Sequence, residues 1–227
     1  MQGMLVFQSN MADTGETEAL TAAIKLACKK IKVPDLFPEQ RNALSAFITG
    51  KDVLLNLPTG YGKSLVFQIA PEVRAELENF KGNNNSRPIV VVICPLISLM
   101  EDQEAYLKNI GIRSGSIGED EARNKQIEQG QCSIVFTSPE SLLGNQRWRN
   151  MLASPVYQQN LIGIAVDEAH CISHWGTSKN RQKAVAFRKW FYNLGELRSL
   201  AGIQRCVIHG DNSNSHQNDK ENYHLGA

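Results

Sequence analysis

The sequence has little net charge, +1 over 227 residues. No global field therefore commits it to nucleic acid or to a membrane surface, although a basic groove can still sit on a near-neutral protein. It has no C-x-x-C pair. Its five cysteines, Cys28, Cys94, Cys132, Cys171 and Cys206, are scattered and odd in number, which argues against a zinc site and fits reduced thiols in a cytosolic or nuclear protein. It has no run of the roughly 18 apolar residues that a membrane span needs, no basic start followed by an apolar stretch of the signal-peptide kind, and no internal repeat. A soluble, intracellular chain is expected. What is present is apolar content, 42% of residues, ample for one buried core in a chain too short for two large domains.

Residues 1–16 carry little pattern and are expected to form a flexible tail. From Thr17, Leu20, Ile24, Ala27 and Ile31 recur at helical spacing; Lys29, Lys30 and Lys32 suit a helix C-terminus, and Pro34 stops the helix. Short apolar runs then alternate with helical stretches. Strands are expected over 53–57, 89–93, 133–137 and 161–166, the second of them β-branched throughout. Helices are expected over 63–80, 98–109 and 139–152, with a polar loop at 82–86. Apolar strands separated by helices predict an α/β domain, a mostly parallel sheet with helices on both faces. From Arg205 the composition turns to Asn, His and Asp without periodicity. Residues 205–227 are expected to be a disordered or poorly docked tail, leaving 17–204 as the domain.

Leu57-Pro58-Thr59-Gly60-Tyr61-Gly62-Lys63-Ser64 falls between a predicted strand and a predicted helix, the setting of a phosphate-binding P-loop. Gly60 and Gly62 let the backbone turn so that its N–H groups face inward and, with the helix N-terminus, cradle phosphates. Lys63 can reach the β- and γ-phosphates, and the Ser64 hydroxyl can ligate Mg2+. Leu57 stands where the strict pattern has its first glycine, so the match is to the shorter T-G-x-G-K-S form. The plainer alternative is a glycine turn capping a helix beside a surface lysine.

The apolar run 161–166 leads into Asp167-Glu168-Ala169-His170. A strand that ends in adjacent carboxylates puts them at the C-terminal edge of a parallel sheet, where ligands of open α/β sheets bind. Asp167 would hold Mg2+ as the partner of Ser64, Glu168 would orient and deprotonate an attacking water, and His170 would link the nucleotide site to a nucleic-acid site. The alternative is an acidic strand cap. Together the two motifs supply complementary halves of one metal site, in the right order.

With these motifs the chain resembles superfamily 2 helicases, and RecQ-like DNA helicases in particular. Leu36-Phe37-Pro38-Glu39-Gln40 is similar to the family's adenine-reading motif. The resemblance implies that Gln40 contacts the adenine edge, and Phe37, where the family usually has Arg, would stack on the base. The stretches 94–103 and 137–142 resemble the strand-end motifs that contact the nucleic-acid backbone, which implies that role for Ser98, Thr137 and Ser138. Their hydroxyls, like the following helix N-termini, suit phosphates without reading bases; N-capping is the alternative. Cys171-Ile172-Ser173-His174-Trp175-Gly176 resembles the RecQ aromatic-rich loop, which implies that His174 and Trp175 couple DNA to ATP hydrolysis. A base stacked on Trp175 would contribute roughly 1–3 kcal/mol.

The resemblance implies a RecA-like P-loop NTPase domain, the first of two, with ATP and Mg2+ as cofactors and single-stranded or forked DNA as partner. It also implies 3'-5' DNA unwinding as the family activity and a nuclear location. It covers residues 34–204. Beyond Gly176 the chain departs into a basic insert at 177–183, and the family's next motif and second RecA-like domain are missing. The 227 residues are therefore expected to bind ATP and DNA weakly without unwinding. A DEAD/DEAH-type RNA helicase half and a non-catalytic binding module are the competing readings; a signalling or transport ATPase would leave Phe37, Gln40 and Trp175 without a role.

Overall fold

In a computed structural model the described residues are 5–7, 18–33, 35–58, 60–167 and 206–210. Among the described residues seven strands form one sheet: β1 (Leu5–Phe7), β2 (Val53–Asn56), β3 (Ile89–Ile93), β4 (Ser114–Ser116), β5 (Ile134–Thr137), β6 (Leu161–Val166) and β7 (Cys206–Gly210). Their order across the sheet is β1-β2-β7-β6-β3-β5-β4, and every pairing is parallel.

The apolar composition of the strands follows from that geometry. Successive side chains of a strand point to opposite faces. Val90 and Val92 of β3 enter one apolar cluster, while Ile89, Val91 and Ile93 enter another. The first cluster is closed by α1 (Glu18–Ile31), α2 (Pro38–Ile48), α3 (Leu65–Phe80) and α4 (Ile97–Asn109). The second is closed by α5 (Glu121–Glu128), α6 (Pro139–Gly144), α7 (Gln146–Ala153) and α8 (Pro155–Asn160). A strand buried on both faces has no polar side to show, so it reads as an unbroken apolar run. The expected parallel sheet with helices on both faces is what the structure has. Among the described residues no helix is long and apolar enough to cross a membrane.

Some local expectations need correction. The single helix expected over 139–152 is two, α6 and α7. Asn145 between them is extended (φ −120°, ψ 120°), and its Oδ1 accepts from Arg147 N at 2.9 Å, starting a new helix. The edge strand β4, Ser-Gly-Ser, has no apolar signature. It pairs with β5 in parallel, and Gly115 fits closely there, since a Cβ would lie 3.2 Å from Cys132 Sγ. The tail expected from residue 205 is corrected at its start: 206–210 form β7, in the middle of the sheet between β2 and β6. Cys-Val-Ile is strand-forming, but only a slot with a parallel neighbour on each side makes five such residues worth ordering. The expected N-terminal tail has a strand in it, with Leu5 to Phe7 paired alongside Val53 to Leu55. Pro34, Thr59, Glu168, His170, His174, Trp175, the basic insert and residues 211–227 lie outside the described residues.

Two polar links hold the second helical layer. The Arg147 guanidinium of α7 bonds both carboxylates of α5, at 2.7 and 2.8 Å to Glu121 and 2.7 and 2.9 Å to Glu128. These bonds hold both carboxyls below the usual range. Tyr157 of α8 is fully buried and donates its hydroxyl to Ile127 O at 2.9 Å; burial pushes its phenol well above the ordinary value. Tyr157→Phe removes that bond and leaves Ile127 O accepting from the Gly130 N–H, at 2.9 Å. It is expected to cost about 1 kcal/mol, a fall of about 2–4 °C in Tm. A melting curve superimposable on the wild type would show that the bond contributes nothing.

Candidate functional site

Because all the strands run the same way, the loops that follow β2, β3, β5 and β6 open at one edge of the sheet. The loop after β2 turns back on itself at Gly60 and Gly62, whose φ values are +81° and +69°. Left-handed backbone of this kind strains any residue with a Cβ. Tyr61 N bonds Pro58 O at 3.2 Å, and α3 begins immediately afterwards with Leu65 N to Gly62 O at 3.1 Å. Among the described residues none accepts from the N–H of Gly60, Gly62 or Ser64. These donors, at the head of a sixteen-residue helix, are a candidate anion cradle, since the positive end of the helix dipole lies behind them. Ser64 is the N-cap of α3, and its hydroxyl makes no capping bond. Lys63 Nζ folds over the loop to Leu57 O at 2.9 Å and Pro58 O at 3.4 Å.

Gln40 lies against this loop. It stands in the first turn of α2, is 3% exposed, and its amide is fully engaged. Oε1 accepts from Phe37 N at 2.9 Å; Nε2 donates to Tyr61 O at 2.8 Å and Gly62 O at 3.0 Å. The structure thus brings Gln40 to the P-loop, as a brace of its backbone. Phe37 and Tyr61, both exposed, pack with ring centroids 5.0 Å apart and an interplanar angle of 36°. Together they make an aromatic shelf beside the cradle.

Asp167 follows β6 and is 3% exposed. Its N–H bonds Ile93 O at 2.9 Å, which fixes the turn at the strand tip. Val166 and Leu54 both pair with Ile208 of β7, so the acidic and phosphate strands are in step, with one strand between them and about 10 Å from axis to axis. Side chains bridge that interval. Asp167 Oδ2 accepts from Gln103 Nε2 of α4 at 2.7 Å, Gln103 Oε1 accepts from Gln68 Nε2 of α3 at 3.3 Å, and Gln68 N bonds Ser64 O at 3.1 Å. A continuous hydrogen-bonded path therefore runs from the P-loop serine to the acidic box. Sequence reasoning passed over both glutamines. The available signal was a polar residue, Gln68, inside the apolar run Leu65 to Ala70.

The donor chemistry at this edge suits a hard cation. Among the described residues no three His, Cys, Asp or Glu side chains cluster as a metal cage. A Ser hydroxyl and one carboxylate are, however, the all-oxygen set a phosphate-bound Mg2+ takes from a protein.

The remaining candidates divide. Ser98 is exposed in the first turn of α4, next to Ile97, which is 72% exposed. Ser138 is half-buried and caps α6, its Oγ accepting from Ser141 N at 3.1 Å. Thr137 is corrected: it ends β5 with no exposed surface, and its hydroxyl bonds Ser138 O at 3.1 Å, so it presents nothing to an outside phosphate. A groove of about 940 Å³ runs between α4 and β4, with Ile97 and Ser138 among its lining residues; neither the P-loop nor Asp167 belongs to it.

Comparison with known proteins agrees with this architecture. The DEAD/DEAH box helicase family matches residues 37–198. ATP-dependent helicase SGS1 of Saccharomyces cerevisiae is 34% identical over 151 residues, 64% of this chain and 10% of that protein. ATP-dependent DNA helicase RecQ of Synechocystis sp. is 33% identical over 175 residues, 74% of this chain and 32% of that protein. The chain thus spans between a tenth and a third of the length of these curated relatives. In structure, the DUF1998 helicase MrfA bound to DNA and AMPPNP aligns with a TM-score of 0.61 at 20% identity, covering 90% of this chain and 27% of that one, which establishes a shared RecA-like fold. With the family pattern matched from Phe37 to Arg198, this chain belongs to the DEAD/DEAH box helicases.

Proposed function

We propose that this chain is the ATP-binding module of a RecQ-like DNA helicase. The observation that carries the reading is the link from Asp167 through the Gln103 and Gln68 side chains to α3, whose backbone bonds Ser64 of the P-loop. In this reading the N–H groups of the 60–64 turn and the Lys63 ammonium bind the triphosphate. The Phe37–Tyr61 shelf takes the adenine, with Gln40 holding the shelf and the loop together. The Ser64 hydroxyl and the Asp167 carboxylate would hold Mg2+, which would supply positive charge against the phosphoryl oxygens. Glu168, adjacent in sequence, takes the proton of the attacking water.

DNA is the proposed macromolecular partner, in keeping with the names of the relatives. Ser98 and the N-terminus of α4, with Ser138, would meet its backbone, and His170, His174 and Trp175 would relay its presence to the nucleotide. Strand separation in the 3'-5' sense requires a second RecA-like domain packed on this edge. Alone, these residues bind ATP and DNA weakly. DNA repair and recombination in the nucleus is the cellular setting proposed.

Nucleotide binding is tested by melting the protein with Mg2+ and AMPPNP. At a hundred times Kd the ligand should add about 2.7 kcal/mol, raising Tm by about 5–10 °C for a domain of this size. A Tm that stays put at millimolar Mg2+ and nucleotide would remove the basis of the reading.

A further inference from the structure

The two buried glutamines do more than satisfy each other. Gln68 and Gln103 are 5% and 8% exposed, on two different helices. A carboxylate accepts and does not donate, so Gln103 must turn its NH2 toward Asp167. Its carbonyl must then face Gln68, which in turn must present its own NH2. The direction of both amides is set by the charge at the end of the chain, and the chain's position is set by α3, whose N-cap is Ser64. The Asp167 carboxylate is thus oriented by α4 and referenced to α3.

We infer that Gln103 is a positioning residue of the nucleotide site, with Gln68 as its anchor: it holds the Asp167 carboxylate at a fixed place relative to Ser64, so that the two oxygens meet one cation. This rests on the proposed nucleotide-binding reading. Gln103 itself touches neither nucleotide nor cation. It acts as the outer partner that fixes a ligating carboxylate. Because α4 also carries the exposed Ile97 and Ser98 in its first turn, after its exposed N-cap Leu96, movement of that helix reaches Asp167 through Gln103.

The test uses the 227-residue chain and a fluorescent N-methylanthraniloyl ATP, titrated in Mg2+ and separately in EDTA. In the wild type Mg2+ should tighten binding. In Gln103→Leu and in the isosteric Gln103→Glu that tightening should shrink about 10–100-fold, the usual consequence of losing a second partner of a metal ligand. Affinity in EDTA should hold. Gln68→Leu should shift in the same direction by less. An equal loss in both titrations, or none, overturns the proposal, since damage to packing alone would not discriminate between them. A second measurement needs no nucleotide. The nitrogen-15 resonances of the Gln103 side-chain amide should move in Asp167→Asn, and unmoved resonances overturn the proposal by themselves. A wild-type chain that binds in neither titration overturns the nucleotide reading instead, and the spectrum then reports separately on whether Gln103 holds Asp167.

Discussion

Lys63→Ala is expected to weaken binding of Mg2+-ATP by about tenfold to a hundredfold, the loss of a charge-assisted hydrogen bond of about 1.5–3 kcal/mol. The ammonium rests on Leu57 O and Pro58 O, carbonyls of the same loop whose N–H groups face the cradle. Held there, it sits within reach of a phosphate bound by those N–H groups and needs only a rotation of its flexible stem to exchange a neutral acceptor for an anionic one. Lys63→Arg should not restore binding, because a planar guanidinium cannot occupy the space of a compact ammonium in so tight a turn. Isothermal titration with ATP and Mg2+ measures the effect. Equal affinity in Lys63→Ala and wild type would mean that phosphate is bound elsewhere.

Gly62→Ala is expected to destabilise the chain by about 2–6 kcal/mol, from two causes of similar size. Its φ of +69° is strained for any residue with a Cβ, by about 1–3 kcal/mol. The new Cβ would also lie 2.8 Å from Gln40 Nε2. That amide is buried and hydrogen-bonded to the loop on one side and to Phe37 N on the other, so retreat leaves polar atoms unpaired at about 1–3 kcal/mol. Gly60 provides the internal control. Its φ is +81°, but a Cβ there meets nothing within 4 Å, so Gly60→Ala should show the backbone cost alone. Urea unfolding of Gly62→Ala, Gly60→Ala and Gly62→Ala with Gln40→Ala separates the terms by a double-mutant comparison. Should the two glycine variants unfold at the same urea concentration, Gln40 would not be the brace the structure makes it.

Much of the architecture was legible because parallel strands covered on both faces carry no polar alternation. The runs at 89–93 and 161–166 could be little else, and both became central strands. The P-loop was legible because its glycines and its place before a helix are local requirements. The elements that went unread lack a local signature. Ser-Gly-Ser in β4 is ordered by its neighbour, Leu5 to Phe7 is too short to declare itself, Cys206 to Gly210 offers three apolar residues at the head of a polar stretch, and Asn145 divides a helix through one side-chain bond. At the site, Thr137 had the right chemistry for a surface contact, but its position at the end of a fully buried strand removes it from the surface.

The sequence by itself determined the class of fold and the two chemical motifs, because residue type, period and spacing along the chain suffice for a strand, a helix and a glycine turn. Only the tertiary structure decided that Gln40 serves the loop backbone, that β7 lies between the phosphate and acidic strands, and that Gln68 and Gln103 connect those strands' loops. The physical reason is distance along the chain. Gln40 and Tyr61, or Gln103 and Asp167, are joined by hydrogen bonds between residues far apart in sequence, and such a bond acquires its partner only when the sheet is assembled and water has left the space between them.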